Sequence, residues 1–223
     1  PWTSMLKELH TSLHLPTIIG MSLVGFVGVI IFALVISGII AHPRIFRDAF
    51  LLRRGHSQRQ QQTDLHNRLG VWGIPFHLMI TLTGAFIGLS SVLIGIGAAL
   101  YFDGDQQAMV DAMYGPDPII TSQGEAIDYE QAFTSLQAIQ PNAKPIYLAV
   151  HKLGSEQQLL EIAATLPERL VYSEIYRFNP AGELVDQQGL SNGPEGRQIA
   201  YSTYRLHFGH FDSFWVKIIY LIM

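Results

Sequence analysis

LPTIIGMSLVGFVGVIIFALVISGIIA, residues Leu15 to Ala41, is a run of 27 residues without a charge. At 1.5 Å per residue such a helix is about 40 Å long, enough to cross a hydrocarbon core of about 30 Å with tilt. It is too long for a signal-peptide core, and the residues before it carry only Lys7 and Glu8 as charges. A second uncharged run, Leu69 to Phe102, has 34 residues and includes Pro75 and His77. That exceeds one crossing, so its first turns are expected in the interface. A third apolar stretch (FDSFWVKIIYLIM) starts at Phe211 and reaches Met223. The chain begins with Pro1 and reads as an internal piece of a larger membrane protein.

The polar segments set the orientation. Residues 42–68 hold Arg44, Arg47, Arg53, Arg54, Arg59 and Arg68 against two aspartates, whereas residues 103–205 hold six basic and fourteen acidic groups. Short basic loops stay in the cytoplasm, and long loops cross largely regardless of charge. The expected order is an extracytoplasmic lead-in (1–14), a transmembrane helix (15–41), a cytoplasmic Arg-rich loop (42–68), a second transmembrane helix (69–102), a periplasmic domain (103–205) and the truncated start of a third helix (206–223). The domain reads as a short helix and linker, then an amphipathic helix over Ala126–Ile139, with Asp128 among the carboxylates at its start. Strands follow at Pro145–His151, Gln158–Ala164 and Leu170–Phe178, and Asn179-Pro-Ala-Gly-Glu183 marks a hairpin to Leu184. The fold class is a membrane α-helical bundle, two complete transmembrane helices plus the start of a third, with a small α+β extracytoplasmic domain.

Composition excludes several chemistries. A formal charge of −4 and the lack of a basic tail argue against nucleic acid as a partner. Zero cysteines exclude disulfides, thiolate metal sites and cysteine nucleophiles. Nine histidines remain, and seven lie in or beside the apolar runs: His10, His14, His42, His66, His77, His207 and His210. Ionisable groups at membrane depth are costly and usually face a bundle interior or a cofactor. Bis-imidazole ligation of haem takes one histidine from each of two helices at one depth. His10, His14, His207 and His210 fall near the outer edge, His42 and His66 near the inner edge. On one straight helix His66 and His77, 11 residues apart, return to nearly the same azimuth about 16.5 Å apart. His10 and His14, spaced i, i+4, share a helix face. The plainer readings are interfacial polar residues for the edge histidines, and helix packing for the small residues Gly84-Ala-Phe-Ile-Gly88.

The stretch Asp64-Leu-His-Asn-Arg-Leu-Gly-Val-Trp-Gly-Ile-Pro-Phe-His-Leu-Met-Ile-Thr-Leu-Thr-Gly84 resembles the DLH-x-x-x-G-x-W…TG signature of the PepSY-associated transmembrane proteins, also called iron-regulated membrane proteins. Leu9-His-Thr-Ser-Leu13, Ser37-Gly-Ile-Ile-Ala-His-Pro-Arg44 and Leu206-His-Phe-Gly-His-Phe211 resemble the segments flanking the family's helices. The resemblance implies a PepSY-like periplasmic domain and a bacterial inner-membrane location. It further implies haem b, and electron transfer from an unidentified donor to a periplasmic ferric siderophore, as in a ferric-siderophore reductase. The haem positions it implies are His10, His66, His77 and His207, with His14 a substitute for His10 and His42 an additional candidate. Two pairings stay open at the inner edge, His66 with His42 or His66 in series with His77. The competing expectation is a non-enzymatic, peptidase-inhibitor-like PepSY module anchored in the bilayer.

Overall fold

The computed structural model describes residues 2–42, 44–48, 57–120, 125–166, 173–188, 194–211 and 213–222. The Arg53–Arg54 pair and the Leu170 end of the expected third strand lie outside them. In chain order the elements are α1 (Trp2–Ser12), α2 (Thr17–Ala41), α3 (Ile45–Asp48), α4 (Gln58–Trp72), α5 (Ile74–Gly88), α6 (Ser90–Tyr101), α7 (Gln106–Tyr114) and α8 (Tyr129–Ile139). Then come β1 (Lys144–His151), β2 (Leu159–Thr165), β3 (Ser173–Phe178), β4 (Leu184–Gln188), α9 (Glu195–His207) and α10 (Phe214–Ile222). They form two compact units. The first holds residues up to Leu93 with Leu206–Gly209 and Trp215–Met223; the second holds Ile94–Arg205 with His210–Phe214.

In the first unit α2 is apolar on every side, with Ile18, Phe26, Leu34 and Ile40 all exposed. Among the described helices it alone is long and apolar enough to cross a membrane by itself. Its partner is α5, along a seam of small residues. A Cβ on Gly88 would lie 2.7 Å from the Gly25 Cα, and one on Gly28 would lie 3.2 Å from the Ala85 nitrogen. Bare backbones let the helices touch, which is how helices associate where lipid removes the hydrophobic drive.

The second apolar run is not the single straight helix expected from its composition. It is reached through α4, whose first half is polar, and α4 meets α5 at a 58° bend. Gly73 stands at the junction and Pro75 follows as the second residue of α5. Proline has no N–H to give the Val71 carbonyl four residues back, so the ladder breaks there. The Gly73 N–H turns to the Leu69 and Val71 carbonyls instead. Together α4 and α5 are long and apolar enough for one bent span.

The second unit is a helix-on-sheet domain. Its four strands form an antiparallel meander, β1-β2-β3-β4. Asp105 and Asp128 begin α7 and α8, their carboxylates accepting from the Ala108 and Gln131 N–H groups at 3.0 and 2.9 Å. Ala132 and Leu136 of α8 pack on Leu160, Ile162 and Ala164 of β2 and on Tyr176 and Phe178 of β3. Strand alternation puts these side chains on one face. Yet β2 is buried nearly throughout, because its other face is covered too. That second face is polar, built on Glu161 and Arg177. Gly182, at φ +77, closes the β3–β4 turn against α8, where a Cβ would meet the Ala132 nitrogen at 2.6 Å.

Candidate functional site

Outer-edge histidines meet in the first unit. His207 is the last residue of α9, not the first of a membrane helix as its motif suggests, and the next helix starts only at Phe214. Three contacts hold it. Tyr220 of α10 donates its hydroxyl to the His207 carbonyl at 2.6 Å, with the Leu206 carbonyl at 3.1 Å. Gly84 lies beneath the ring, where a Cβ would come 3.0 Å from His207 Cε1. Thr83 Oγ1 sits 3.0 Å from His207 Nδ1.

The Thr83 contact favours one tautomer. The Thr83 hydroxyl donates to the Met79 carbonyl at 2.7 Å. Its proton is therefore committed, and it accepts from Nδ1–H. A neutral His207 then carries its lone pair on Nε2, the state a metal-ligating histidine needs. The His10 ring lies almost parallel to it, 14° between planes and 6.2 Å between centres. Both rings line a cavity of about 420 Å³ walled by Met21, Val24, Gly28, Ile31, Gly84, Ile87 and Gly88.

The spacing of these stacked rings matches that of two imidazoles on one iron, which they would reach by turning a ring nitrogen towards it. An imidazole nitrogen sits about 2 Å from its metal and about 1 Å from its own ring centre, so two rings flanking one metal have centres about 6 Å apart. Among the described residues no three His, Asp or Glu side chains converge. A bare ion wants three or four protein donors, whereas an iron already held by a macrocycle takes two or fewer. Gly28 and Gly88 in that wall let α2 and α5 pack closely, and Gly84 lets the His207 ring approach α5.

The other sequence candidates separate. His14 does not share a helix face with His10, because α1 ends at Ser12 and His14 lies in the turn at φ +56. There its Nδ1 is 3.2 Å from a Glu8 carboxylate oxygen. His66 and His77 do not share an azimuth, since the bend at Gly73 lies between them. His77 stands against Gly73 and packs edge-on to Phe76, 5.8 Å between ring centres. His42 and His66 line a second cavity of about 220 Å³ with Gly38, Ile39, Gly70 and Val71. Gly38 and Gly70 have open space above them.

The second unit has its own polar centre. Glu161, 6% exposed, accepts from the Tyr147 hydroxyl at 3.1 Å and from Arg177 Nε at 3.1 Å, with His151 Nε2 at 3.3 Å. Arg177 also reaches Asp117 at 3.0 Å. Burial, with the Glu161 charge adding, pushes the Tyr147 hydroxyl up to about 12. Burial opposes the Arg177 charge, but the hydrogen bonds to Glu161 and Asp117 outweigh it and raise its pKa.

Residues 1–223 match the family described as the PepSY-associated TM region. The chain belongs to the PepSY-associated transmembrane family. This makes it a membrane protein, in contact with lipid. One relative of this PepSY-associated chain is an uncharacterised protein of Pseudomonas aeruginosa, 31% identical over 118 residues, or 53% of the chain. The match spans about 30% of that relative's length. Sequence reasoning overlooked Thr83 and Tyr220. Thr83 lies inside the family's TG signature, so its position was on view. Tyr220 left no signal, because its role depends on α10 returning to the end of α9.

Proposed function

We propose that this PepSY-associated protein holds haem b in a bacterial inner membrane and passes electrons outward to a periplasmic ferric siderophore, reducing Fe(III) to Fe(II). The reading rests chiefly on the His10–His207 pair over a glycine-walled apolar cavity, with Thr83 beside His207 Nδ1. Haem, when bound, supplies one-electron chemistry. His10 and His207 would hold it at the outer edge, each through a ring nitrogen. Thr83 orients the second ring, Tyr220 anchors the backbone that carries it, and the apolar walls keep water from the ligand nitrogens. His42 and His66, which line the second cavity, would hold another haem at the inner edge. The two cavities adjoin opposite ends of α2, a helix about 37 Å long. In this reading α4 and α5 form one bent second span, the Arg44–Arg68 segment is cytoplasmic, and residues 103–205 are periplasmic.

A visible spectrum of the protein purified in detergent tests the haem. A sharp α-band on reduction, lost again on adding a ferric hydroxamate, is expected. A folded but colourless protein would refute the reading and favour the anchored PepSY binding module. Topology has its own check. A reporter active only in the periplasm should be silent when fused after Gln60 and active when fused after Asp105. The reverse pattern would invert the direction of electron flow.

A further inference from the structure

The second unit contains a cavity of about 160 Å³ lined by Gln107, Tyr114, Arg177, Gln188, Arg197 and Tyr201. Arg197 is the anomaly in it. The residue is only 5% exposed, and among the described residues its Nε has no acceptor. The carboxylates nearby are committed to other donors. Asp111 accepts from Gln107 Nε2 at 2.7 Å, and Asp117 from Arg177 at 3.0 Å. Asp186 accepts from Gln188 Nε2 at 2.5 Å and lies 3.7 Å from Arg177. Glu161 is held by Tyr147 and Arg177. Burial pulls the Arg197 pKa below its usual value, and the Asp186 charge offsets this only in part.

An arginine keeps its proton even so, and a buried guanidinium N–H without an acceptor is costly. The backbone beneath it is shaped to leave it room. Gly115 has φ +79, and a Cβ there would stand 3.3 Å from Arg197 Nη2. We propose that this cavity binds the carboxylate of a small ligand, with the Arg197 guanidinium as its charge partner and the Tyr114 and Tyr201 hydroxyls as neutral donors. The guanidinium fork matches a planar carboxylate with two parallel hydrogen bonds. The volume equals about five waters at about 30 Å³ each, room for a carboxylate and a short stem. Asp111 and Asp117 at the wall disfavour a dianion such as phosphate more than a monoanion. The carboxylate belongs either to a free small acid or to the end of a peptide.

Thermal unfolding of the whole chain in detergent decides this. The probes are acetate, glycylglycine and glycylglycine amide, with chloride balancing ionic strength. A saturable rise of about 3 °C is expected at ten times the Kd. Arg197→Met should abolish the rise while leaving the ligand-free protein as stable or more so, since it removes a buried N–H that has no acceptor among the described residues. Arg197→Lys, which keeps the charge and loses the fork, should bind about tenfold more weakly. Equal responses to acetate and glycylglycine identify a free acid, and a response to glycylglycine alone identifies a chain end. The proposal is overturned if neither acid raises the midpoint, if the amide matches the acid, or if Arg197→Met retains the rise. If Arg197→Met does not fold, the lysine variant decides, and undiminished binding in it overturns the proposal.

Discussion

His207→Ala should remove one haem equivalent per chain, leaving expression and membrane insertion unchanged. The expectation follows from two features that the site combines. His10 and His207 lie at the separation that two ligands of one metal require, and His207 has its Nδ1–H committed to Thr83. Removing either imidazole would take away one of the two side chains proposed to hold the iron, so His10→Ala should behave alike. Thr83→Val keeps both rings and loses the contact that sets tautomer and orientation. Outer-shell partners of this kind typically alter affinity by about 10–100-fold, so this variant should bind haem weakly and release it on dilution. His14→Ala should change nothing, because its ring is turned to Glu8. Haem content measured by the pyridine assay separates the four variants. Undiminished haem in His207→Ala would exclude the outer pair as ligands.

Phe178→Ala should unfold or nearly unfold the four-stranded sheet while leaving the histidine cavity of the other unit intact. Phe178 is fully buried in β3 among Ala132, Leu136 and Leu160. Cutting a buried phenylalanine to alanine costs about 3–5 kcal/mol, lost transfer energy plus a cavity. A domain's whole stability is about 5–15 kcal/mol, so the loss is a large share. Proteolysis of the detergent-purified chain should cleave within residues 129–188 far faster in this variant. Tyr147→Phe is the contrast. It deletes one hydroxyl bonded to Glu161, and Arg177 keeps that carboxylate satisfied. Its cost should be about 1 kcal/mol, barely visible in the same assay. Equal protease sensitivity in the two variants would mean that the core does not rest on the α8 face of the sheet.

Local patterns in the sequence were enough for the membrane helix and the sheet domain. An uncharged run as long as Leu15–Ala41 has few places to go except lipid, and alternating apolar residues bounded by Asn179-Pro-Ala-Gly define a hairpin wherever they lie. Asp128 was legible as a cap because capping acts over three residues. Gly73 and Pro75 were equally visible, yet a 58° bend was not, since proline tolerance in a long apolar run depends on what neighbouring helices do. That bend separates His66 from His77, which a straight helix would align.

The rest was decided by the path of the chain. Thr83 and His207 are 124 residues apart, and no periodicity links them. The tautomer of His207 depends on that contact, and so does the choice of nitrogen left free to bind a metal. His10 stands beside His207 and His14 does not, because α1 stops two residues short of His14 and the turn redirects its ring. Arg197 enters the sequence reading only as one of the six basic groups of residues 103–205. Only packing shows it buried, its Nε without an acceptor among the described residues. Sequence carries the short-range terms, helix length, alternation and caps, because these act between neighbours. Partnerships between side chains, and the lack of one for a buried N–H, are properties of the assembled interior, where burial sets both the strength of a contact and the cost of lacking one.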